Sequence, residues 1–366
     1  MKKKILLTPG PTITPQNVQR AFFNHSLHHR TKEYRRVSEE AREKTKTLFG
    51  ARNGEVLFYP AVGTPMIEAI LSAYLARGKY VVAVENGFFG KKLAEMALEY
   101  GARIAEEKSE WGKTYSRDSL LTLVQRFKPR LVLMTKADTS TGILNNTNVG
   151  NAIKFYSPST FFAVDAILEA GVSPIKMDWE GIDILIAAGQ KSLLLPPGLG
   201  IIILSPRAVS WLKRTQKQYP AFFFDIRKEL DAQRECNLRF TMPVNHIYAL
   251  NMVLETVLAD EAKWYRGFAE RAEKIRYELG KLDFTLFTKD TPSNGVSVLN
   301  VPYPHKVEHI ITLLETEGFI VAPGIGENHD TVIRLAHFEG TKPFIRQFLK
   351  TLRKIMEALT EARNND

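Results

Sequence analysis

Two kinds of hydrophobic pattern alternate along the first two thirds of the chain. Short apolar runs, typical of strands buried on both faces, are separated by longer stretches in which apolar residues recur at helical spacing. The predicted strands are 55–59, 80–84, 131–135, 161–164, 183–187 and 201–204. The clearest predicted helices are 33–49, which Gly50 ends, one that follows 86–90 and reaches Tyr100, and 117–127. Such alternation predicts an α/β fold, with a mostly parallel sheet and helices on both faces.

The pattern changes after residues 241–243. A long helical pattern covers 245–279 with few breakers, and two strand-like stretches follow at 285–287 and 296–301. A helix at 306–317, strands near Ile320 and Val332 and a last helix to about Ala362 come next. This mixture predicts a smaller α+β domain at 246–366, after a large domain at 16–245 and an N-terminal arm at 1–15.

The N-terminal stretch predicts a strand that leads into a rigid loop. Its basic head precedes an apolar run much shorter than the roughly 7–15 residues of a signal peptide. Three prolines and a glycine then hold residues 8–15 in an extended loop. Elsewhere no apolar run approaches the ~20 residues of a membrane helix, so we expect no membrane span.

Charge, cysteine and histidine content bear on whether the protein binds nucleic acid, contains a disulfide or binds a metal. The 366 residues carry a formal net charge of +10, but the basic residues are scattered and interleaved with acids. That distribution favours small anionic ligands over nucleic acid. One cysteine, Cys236, excludes an intrachain disulfide and fits a reducing cytoplasm. The adjacent His28 and His29 would not share a helix face, so we expect no metal site.

One lysine, Lys191, lies in an otherwise almost uncharged run. It follows a predicted buried strand and precedes apolar residues 193–195 and the rigid turn Pro196-Pro197-Gly198. Burial would lower the pKa of this amine, and a neutral amine can form a Schiff base with an aldehyde. The alternative is a lysine at a strand end whose ammonium simply reaches water.

Other informative residues also stand where predicted strands end. Ligands of open α/β sheets bind beyond the carboxyl ends of the strands, which favours one shared site. The residues at these positions are Gly63, Thr64, Phe89, Thr139, Asp165 and Lys191. Thr64 is also the predicted N-cap of a helix that begins at Pro65, and a helix N-terminus can bind phosphate. A simple capped helix would need the same residues.

Together these residues resemble class V of the pyridoxal-phosphate-dependent aminotransferases, in the alanine/serine–glyoxylate (serine–pyruvate) branch. The resemblance spans almost the whole chain, with the motifs in the family's order and spacing. They are Thr8-Pro9-Gly10-Pro11, His29-Arg30, Gly63-Thr64, Asn86-Gly87-x-x-Gly90, Thr139-Ser140-Thr141-Gly142, Val164-Asp165-Ala166, Gln190-Lys191, Pro196-Pro197-Gly198 and Arg334-Leu335. The resemblance implies the fold type I of these transferases, pyridoxal 5′-phosphate as cofactor, and amino transfer from alanine or serine to glyoxylate or pyruvate.

The resemblance also implies roles for residues of the large domain. Lys191 would carry the cofactor as a Schiff base and move the proton at the α-carbon, and Asp165 would keep the pyridine nitrogen protonated. Phe89 would stack on the cofactor ring, and Thr139 would hydrogen-bond its ring hydroxyl. The residues implied at the phosphate are Gly63, Thr64, Gln190 and, from the partner subunit of a homodimer with composite active sites, Thr241.

On the substrate side, the resemblance implies that Arg334 binds the α-carboxylate, to which a planar guanidinium can make two parallel hydrogen bonds. For a charged residue inside an apolar run, the alternative is a structural ion pair with an acid such as Glu339. Gly10 of the N-terminal arm and Arg30 are the other implied substrate-binding residues.

Several positions depart from the family pattern. Val62 stands where a serine is usual, Gly189 replaces a common serine, and Leu238 replaces a tyrosine that some members place across the dimer. Ala137-Asp138 replaces the frequent x-Glu pair before the hydroxyl-rich turn. These changes affect the phosphate-binding end of the expected site rather than its lysine, aspartate and arginine.

Three other functions stay open at this point. An aspartate aminotransferase of the same class would need a second cation for the side-chain carboxylate, for which Arg30 is the candidate. A cysteine desulfurase or related lyase would use a loop cysteine late in the chain, whereas Cys236 precedes the small domain. A non-enzymatic anion-binding protein would be colourless and would bind no pyridoxal phosphate.

Overall fold

The computed structural model describes residues 4–23, 27–215 and 221–364. In chain order, the described strands are β1 (Ile5–Leu6), β2 (Glu55–Tyr59), β3 (Tyr80–Glu85), β4 (Arg103–Lys108), β5 (Leu131–Thr135), β6 (Phe161–Asp165), β7 (Ile184–Ala188), β8 (Gly200–Leu204), β9 (Thr285–Leu286), β10 (Val296–Asn300), β11 (Phe319–Ile320), β12 (Ala322–Pro323) and β13 (Val332–Ala336). The described α-helices are α1 (Gln16–Phe23), α2 (Lys32–Phe49), α3 (Gly63–Tyr74), α4 (Phe88–Glu99), α5 (Arg117–Phe127), α6 (Gly150–Tyr156), α7 (Met177–Glu180), α8 (Pro206–Arg214), α9 (Ile226–Arg234), α10 (Val244–Ala259), α11 (Glu261–Gly280), α12 (Val307–Thr316) and α13 (Ile345–Asn364). Short 3₁₀ helices cover Gly326–Asn328 and Glu339–Phe344.

Strands β2 to β8 form one large sheet in the order β2-β8-β7-β6-β5-β3-β4. The pairs that join β4, β3, β5, β6 and β7 are all parallel, whereas β8 runs antiparallel to both β2 and β7. The predicted α/β class with a mostly parallel sheet is therefore confirmed. Because the carboxyl ends of β3, β5, β6 and β7 meet at one edge, the turns that follow these strands lie together.

The strands predicted for this sheet are all present, each within one residue of its predicted bounds. The sequence pattern does not predict β4, because Glu107 occupies an inward-facing position where an apolar residue would mark a strand. Its carboxylate accepts a hydrogen bond from the backbone N–H of Ser116 at 2.9 Å. Because this bond satisfies the carboxylate, a charged residue can be buried in β4, the edge strand of the sheet.

Two helix predictions have different outcomes. The helix predicted at 33–49 is α2, and Gly50 ends it in the left-handed conformation at φ 58°. The long helical pattern predicted at 245–279 is present as two helices, because the chain breaks between α10 and α11 at Asp260. The Asp260 carboxylate accepts a hydrogen bond from Lys263 N at 3.0 Å and so caps α11.

Helix α10 packs with the large domain. Its Ile247, Leu250 and Leu254 belong to the same buried core as Val37 and Leu48 of α2. The domain boundary predicted between residues 245 and 246 thus separates α10 from the helices that pack against its apolar face. The packing favours a division at the break between α10 and α11.

The small domain is built on an antiparallel sheet in the order β12-β13-β10-β9. Arg334 lies in the middle of β13, opposite Val298 of β10 and Ala322 of β12. The N-terminal strand predicted from the sequence is β1, which pairs in parallel with β11. Ala336 N also donates a hydrogen bond to Leu7 O at 2.8 Å. The N-terminal arm is therefore attached to the small domain.

Both faces of the large sheet are covered by core side chains. In β2, Val56 and Phe58 belong to the core on one face, and Leu57 and Tyr59 belong to the core on the other. Among the residues at 4–23, 27–215 and 221–364, no helix is long and apolar enough to cross a membrane.

Candidate active site

A cavity of about 160 Å³ lies beyond the carboxyl ends of the central parallel strands. Every predicted cofactor-binding residue except Thr241 lines it. The lining consists of Val62, Gly63, Thr64, Ile67, Phe89, Lys92, Leu93, Ala137, Thr139, Asp165, Ile167, Leu168, Gln190 and Lys191. The shared position at strand ends thus brings residues from distant parts of the chain into one concave site.

Lys191 lies in the turn that joins β7 to β8. The turn is closed by hydrogen bonds from Leu194 N to Lys191 O at 3.0 Å and from Leu195 N to Gly189 O at 2.9 Å. Leu193, Leu194 and Leu195 are almost fully buried, as the apolar sequence predicts. Buried leucines therefore fix the backbone of a lysine whose side chain faces the cavity.

The two ionisable groups central to the cavity have shifted pKa values. Burial lowers the pKa of Lys191 to about 8, although the nearby Asp165 carboxylate opposes this shift. Burial raises the pKa of Asp165 to about 6, against a hydrogen bond from Ile167 N to its Oδ1 at 2.9 Å and the charges of Lys191 and Lys92. Near neutral pH, the cavity therefore holds an ionised Asp165 and a lysine with an appreciable neutral fraction.

Phe89 lies in the first turn of α4, with its ring centroid 5.6 Å from Lys191 Nζ. Asp138 holds this turn, because its Oδ2 accepts hydrogen bonds from Phe89 N at 2.9 Å and from Gly90 N at 3.0 Å. A Cβ at Gly87 would lie only 2.5 Å from the Asp138 carboxyl carbon. The aspartate that departs from the family's x-Glu pair thus caps the helix that positions the ring.

The N-terminus of α3 forms another wall. The prediction that Thr64 caps this helix is wrong, because α3 begins at Gly63 and its N-cap is Val62, which makes no side-chain capping hydrogen bond. Gly63, the first residue of α3, fits tightly against the cavity wall, where a Cβ would lie 2.2 Å from Ile167 Cδ1. Thr64 therefore lies within the first helical turn and lines the cavity beside amides that no side chain caps.

Two buried polar atoms in the cavity wall have no hydrogen-bond partner among the described residues. They are Thr139 Oγ1 and Gln190 Oε1. Buried polar atoms are normally satisfied, so such atoms around a cavity indicate a ligand that supplies the missing partners. Pyridoxal phosphate fits these residues, since it offers a ring hydroxyl, a phosphate, a pyridine nitrogen for Asp165 and an aldehyde for Lys191.

Arg334 approaches this site from the small domain. Its charge is close enough to lower the pKa of Lys191, and its Nε donates a hydrogen bond to Pro323 O at 2.7 Å. In the part of the chain that the structure describes, no carboxylate lies within ion-pair distance of Arg334. Glu339, the acid weighed as a structural partner, pairs instead with Arg271 at 2.7 Å. The guanidinium is thus left with donors for a carboxylate ligand.

Gly10 packs directly against Lys191. A Cβ at Gly10 would lie 2.9 Å from Lys191 Cγ, and the glycine has a φ of +134°, which side-chain-bearing residues rarely adopt. The N-terminal arm therefore runs from its strand in the small domain to the lysine in the large domain. This contact agrees with the prediction of Gly10 near bound substrate without testing it.

Two predicted site residues lie away from the cavity in this chain. Arg30 is solvent-exposed, and its backbone N–H donates to His28 Nδ1 at 3.3 Å. Thr241 is also exposed and does not line the cavity. Their roles in the site remain predictions.

The cavity also contains residues that the sequence analysis did not single out. Lys92 follows Phe89 by three positions on α4, and Ile167 and Leu168 follow Asp165. The i, i+3 spacing on a helix would have placed Lys92 on the same face as Phe89. Within the described ranges, Lys92 makes no ion pair, and its positive charge favours the ionised form of Asp165 in the same cavity.

Comparison with known proteins finds aminotransferases among protein families, sequences and solved structures alike. Residues 6–338 match the model of the family described as "Aminotransferase class-V". Serine–glyoxylate aminotransferase of Methylorubrum extorquens is 33% identical over 314 residues, 83% of this chain and 77% of that protein. A solved alanine–glyoxylate aminotransferase from Nostoc sp. has a TM-score of 0.91 at 24% identity and covers 97% of this chain and 96% of that one. The predicted fold type I is confirmed by this likeness.

Two similar sequences are named as soluble hydrogenase subunits rather than as aminotransferases. A protein named soluble hydrogenase, small subunit, from Synechococcus sp. is 28% identical over 344 residues, 92% of this chain and 88% of that protein. The described residues of our chain contain no group of three or more His, Cys, Asp or Glu side chains placed to hold a metal ion. The cavity beyond the strand ends presents the Lys191 amine and the Asp165 carboxylate.

Proposed function

Since the chain belongs to the class V aminotransferases, which depend on pyridoxal phosphate, we propose that it transfers an amino group from alanine or serine to glyoxylate or pyruvate. The observation that carries this proposal is the cavity in which Lys191, Asp165 and Phe89 surround the orphaned Thr139 Oγ1 and Gln190 Oε1. An amine, a carboxylate and an aromatic ring in this arrangement suit one planar, phosphorylated aldehyde.

The residues of the chain would divide the work as follows. The bound cofactor supplies an electron sink for charge that develops at the substrate α-carbon. Asp165 stays ionised above pH 6 and holds a proton at the pyridine nitrogen. Lys191 Nζ, with its lowered pKa, can serve as nucleophile when neutral and can accept and return the α-proton. Phe89 covers the ring and excludes water from that side.

Substrate selection would rest on the small domain and the arm. Arg334 binds the α-carboxylate common to amino and keto acids, while Gly10 leaves space beside Lys191. An aspartate aminotransferase would need a second cation for the distal carboxylate. Arg30, the candidate for that role, is exposed outside the cavity, so its position does not support the aspartate alternative.

The lyase alternative also lacks a suitably placed residue. Cys236 Sγ lies 3.9 Å from Gln233 O in α9, and this cysteine does not line the cavity that holds Lys191. A desulfurase would need its thiol to reach the substrate bound at the cofactor. The placement of Cys236 therefore favours transamination.

We also propose a homodimer with composite active sites in the cytoplasm. Thr241, exposed in this chain, would then reach the phosphate of the partner subunit's cofactor. That contact would add a hydroxyl to a phosphate site in which Val62 offers none. The single cysteine of the sequence fits the cytoplasmic location.

The decisive experiment is a half-reaction screen of the purified protein loaded with pyridoxal phosphate. Each amino acid is added alone, and the loss of the cofactor's visible absorbance is followed. We expect alanine or serine to react fastest, and glyoxylate or pyruvate to restore the spectrum. Aspartate as the fastest donor would establish the dicarboxylate alternative. A colourless protein that takes up no cofactor would establish the anion-binding alternative.

A further inference from the structure

A buried polar network crosses the junction between the two domains beside the turns that form the cavity. On the large-domain side it begins at Glu169, which follows Asp165 by four residues and is fully buried. Ser293 of the small domain is also fully buried and donates from its Oγ to Glu169 Oε2 at 2.7 Å. The backbone N–H of Ser293 donates to Gly142 O at 2.8 Å, in the turn that carries Thr139. Ser293 thus contacts two cavity-forming turns of the large domain.

On the small-domain side, the network continues to the strand that carries Arg334. Arg276 of α11 donates from Nη2 to Ser293 O and from Nε to Ser297 Oγ, the latter at 2.8 Å. Ser297 Oγ lies 2.9 Å from Nε2 of His337, which is fully buried and follows Arg334 by three residues. One chain of hydrogen bonds therefore links the turn after Asp165 to the end of β13.

The charges in this network make it costly to rearrange. Burial raises the pKa of Glu169, and burial lowers the pKa of Arg276 to about 10, although the Glu169 charge opposes that shift. Ser293 joins the two, since its hydroxyl donates to the carboxylate and its carbonyl accepts from the guanidinium. Buried charges are tolerated only when hydrogen-bonded, so a network of this kind favours one relative placement of its elements.

We propose that Glu169, Ser293 and Arg276 are positioning residues that hold Arg334 at a fixed distance from the cofactor cavity. This inference rests on the proposed function, in which Arg334 binds the substrate carboxylate. Asp165 and Arg334 lie on different sheets, so strand pairing within either sheet does not set the distance between these two residues. The network is one polar connection between the segments adjacent to both, and Ser293 is its link across the domain junction.

The test is Ser293→Ala, which removes the hydroxyl between the domains and leaves the cavity lining unchanged. Since small displacements of a binding group weaken binding strongly, we expect KM for alanine and glyoxylate to rise about tenfold. The Kd of pyridoxal phosphate, measured by titration of the apoprotein, should stay within about twofold. The matched control is Thr288→Ala, which removes another buried hydroxyl bond across the junction, from Thr288 Oγ1 to Gly112 O at 2.8 Å. This control should leave KM unchanged.

A double-mutant cycle distinguishes positioning from general loosening of the fold. If Ser293 acts through Arg334, Ser293→Ala should have little further effect on KM in an Arg334→Ala background. An equal rise in both backgrounds would overturn the proposal, as would a lowered melting temperature with an unchanged KM. If Ser293→Ala fails to fold, Glu169→Gln replaces it, because the amide oxygen still accepts from Ser293 while the charge is lost.

Amide hydrogen exchange gives a readout that needs neither cofactor nor substrate. Ser293→Ala should increase exchange in β13 and in residues 166–172, but not in β2 at the far edge of the sheet. Uniformly unchanged exchange would overturn the positioning role. If the wild-type protein shows no transamination while exchange changes as expected, the proposed function fails and the domain link stands.

Discussion

The two ends of the site are held in different ways. At the cofactor end, Lys191, Asp165 and Thr139 lie in or beside turns at the ends of large-sheet strands, and each turn is closed by local hydrogen bonds. At the substrate end, Arg334 lies in the middle of an antiparallel strand and points from a separate sheet. The cofactor end is thus fixed by one sheet edge, whereas the substrate end depends on how two domains meet.

This difference predicts that substitutions can impair cofactor binding and substrate binding separately. Substitutions at the cofactor end should change the absorbance and affinity of pyridoxal phosphate, because the residues line its cavity. Substitutions at Arg334 should leave the cofactor in place and weaken binding of every α-carboxylate. The following experiments test that separation.

The largest expected effect is that of Lys191→Ala. This variant should fold but lose the absorbance of covalently bound cofactor, and its turnover should fall at least roughly 10³-fold, because nucleophile and proton carrier are removed together. Lys136→Ala is the control, since Lys136 is a second buried lysine, bonded through Nζ to Thr147 Oγ1 at 2.8 Å. The control should lose stability and keep the absorbance. Near-normal turnover of Lys191→Ala would refute the assignment.

Asp165→Asn should come next, with a loss of about 10²-fold in kcat and weaker cofactor binding, since the pyridine nitrogen would lose its anionic partner. The carboxyl has a pKa raised to about 6, so it is ionised above and neutral below that pH. Cofactor affinity of the wild-type apoprotein should therefore fall as the pH drops through about 6, and the variant should lack this dependence. A rate within threefold of wild type, under ~1 kcal/mol of barrier, would contradict the role.

Arg334→Ala tests the substrate end. It should raise KM for amino and keto acids alike by at least about tenfold, since charge-assisted hydrogen bonds contribute roughly 1.5–3 kcal/mol. Arg334→Lys should recover part of this loss, because an ammonium cannot make the bidentate contact. Cofactor absorbance and thermal stability should stay close to wild type. Lost stability with unchanged KM would instead assign Arg334 a structural role.

The smallest effect is expected for Lys92→Gln, which removes the positive charge that shares the cavity with Asp165. A half-buried charge acting across a cavity contributes modestly, so we expect the Kd of pyridoxal phosphate to rise about three- to fivefold. Lys91→Gln, at the exposed neighbouring position of α4, makes the same change in net charge and should have no effect. Equal effects of both substitutions would show a general electrostatic attraction rather than a cavity-specific role.

The sequence predicts the cofactor end well because one rule applies to all its parts. Apolar runs mark the parallel strands, and the residues that follow them must gather at one edge of the sheet. Lys191, Asp165 and Phe89 are found this way, and the resemblance to a family adds their roles. No such rule identifies Arg334, because its only distinguishing feature in the sequence is a charge inside an apolar run.

Several features could not be predicted because tertiary contacts decide them. The close contact of Gly63 with Ile167 at the start of α3 joins residues far apart in sequence, and β4 admits Glu107 because Ser116 satisfies its carboxylate. The break at Asp260 is hidden by apolar spacing that continues from α10 into α11. Thr241 is predicted to act in the partner subunit's site, so no spacing rule within one chain leads to it, and Arg30 is exposed away from the cavity.

The pairing of β1 with β11 affects how the chain must fold. Ile5 lies opposite Phe319, so β1 has no strand partner until β11, far along the chain, has been synthesised. The large domain, whose parallel strands come from one continuous region, can assemble first. Contacts between residues so distant in sequence form slowly. Because Gly10 follows β1 closely and packs on Lys191, the segment that waits for β11 also reaches the cavity of the large domain.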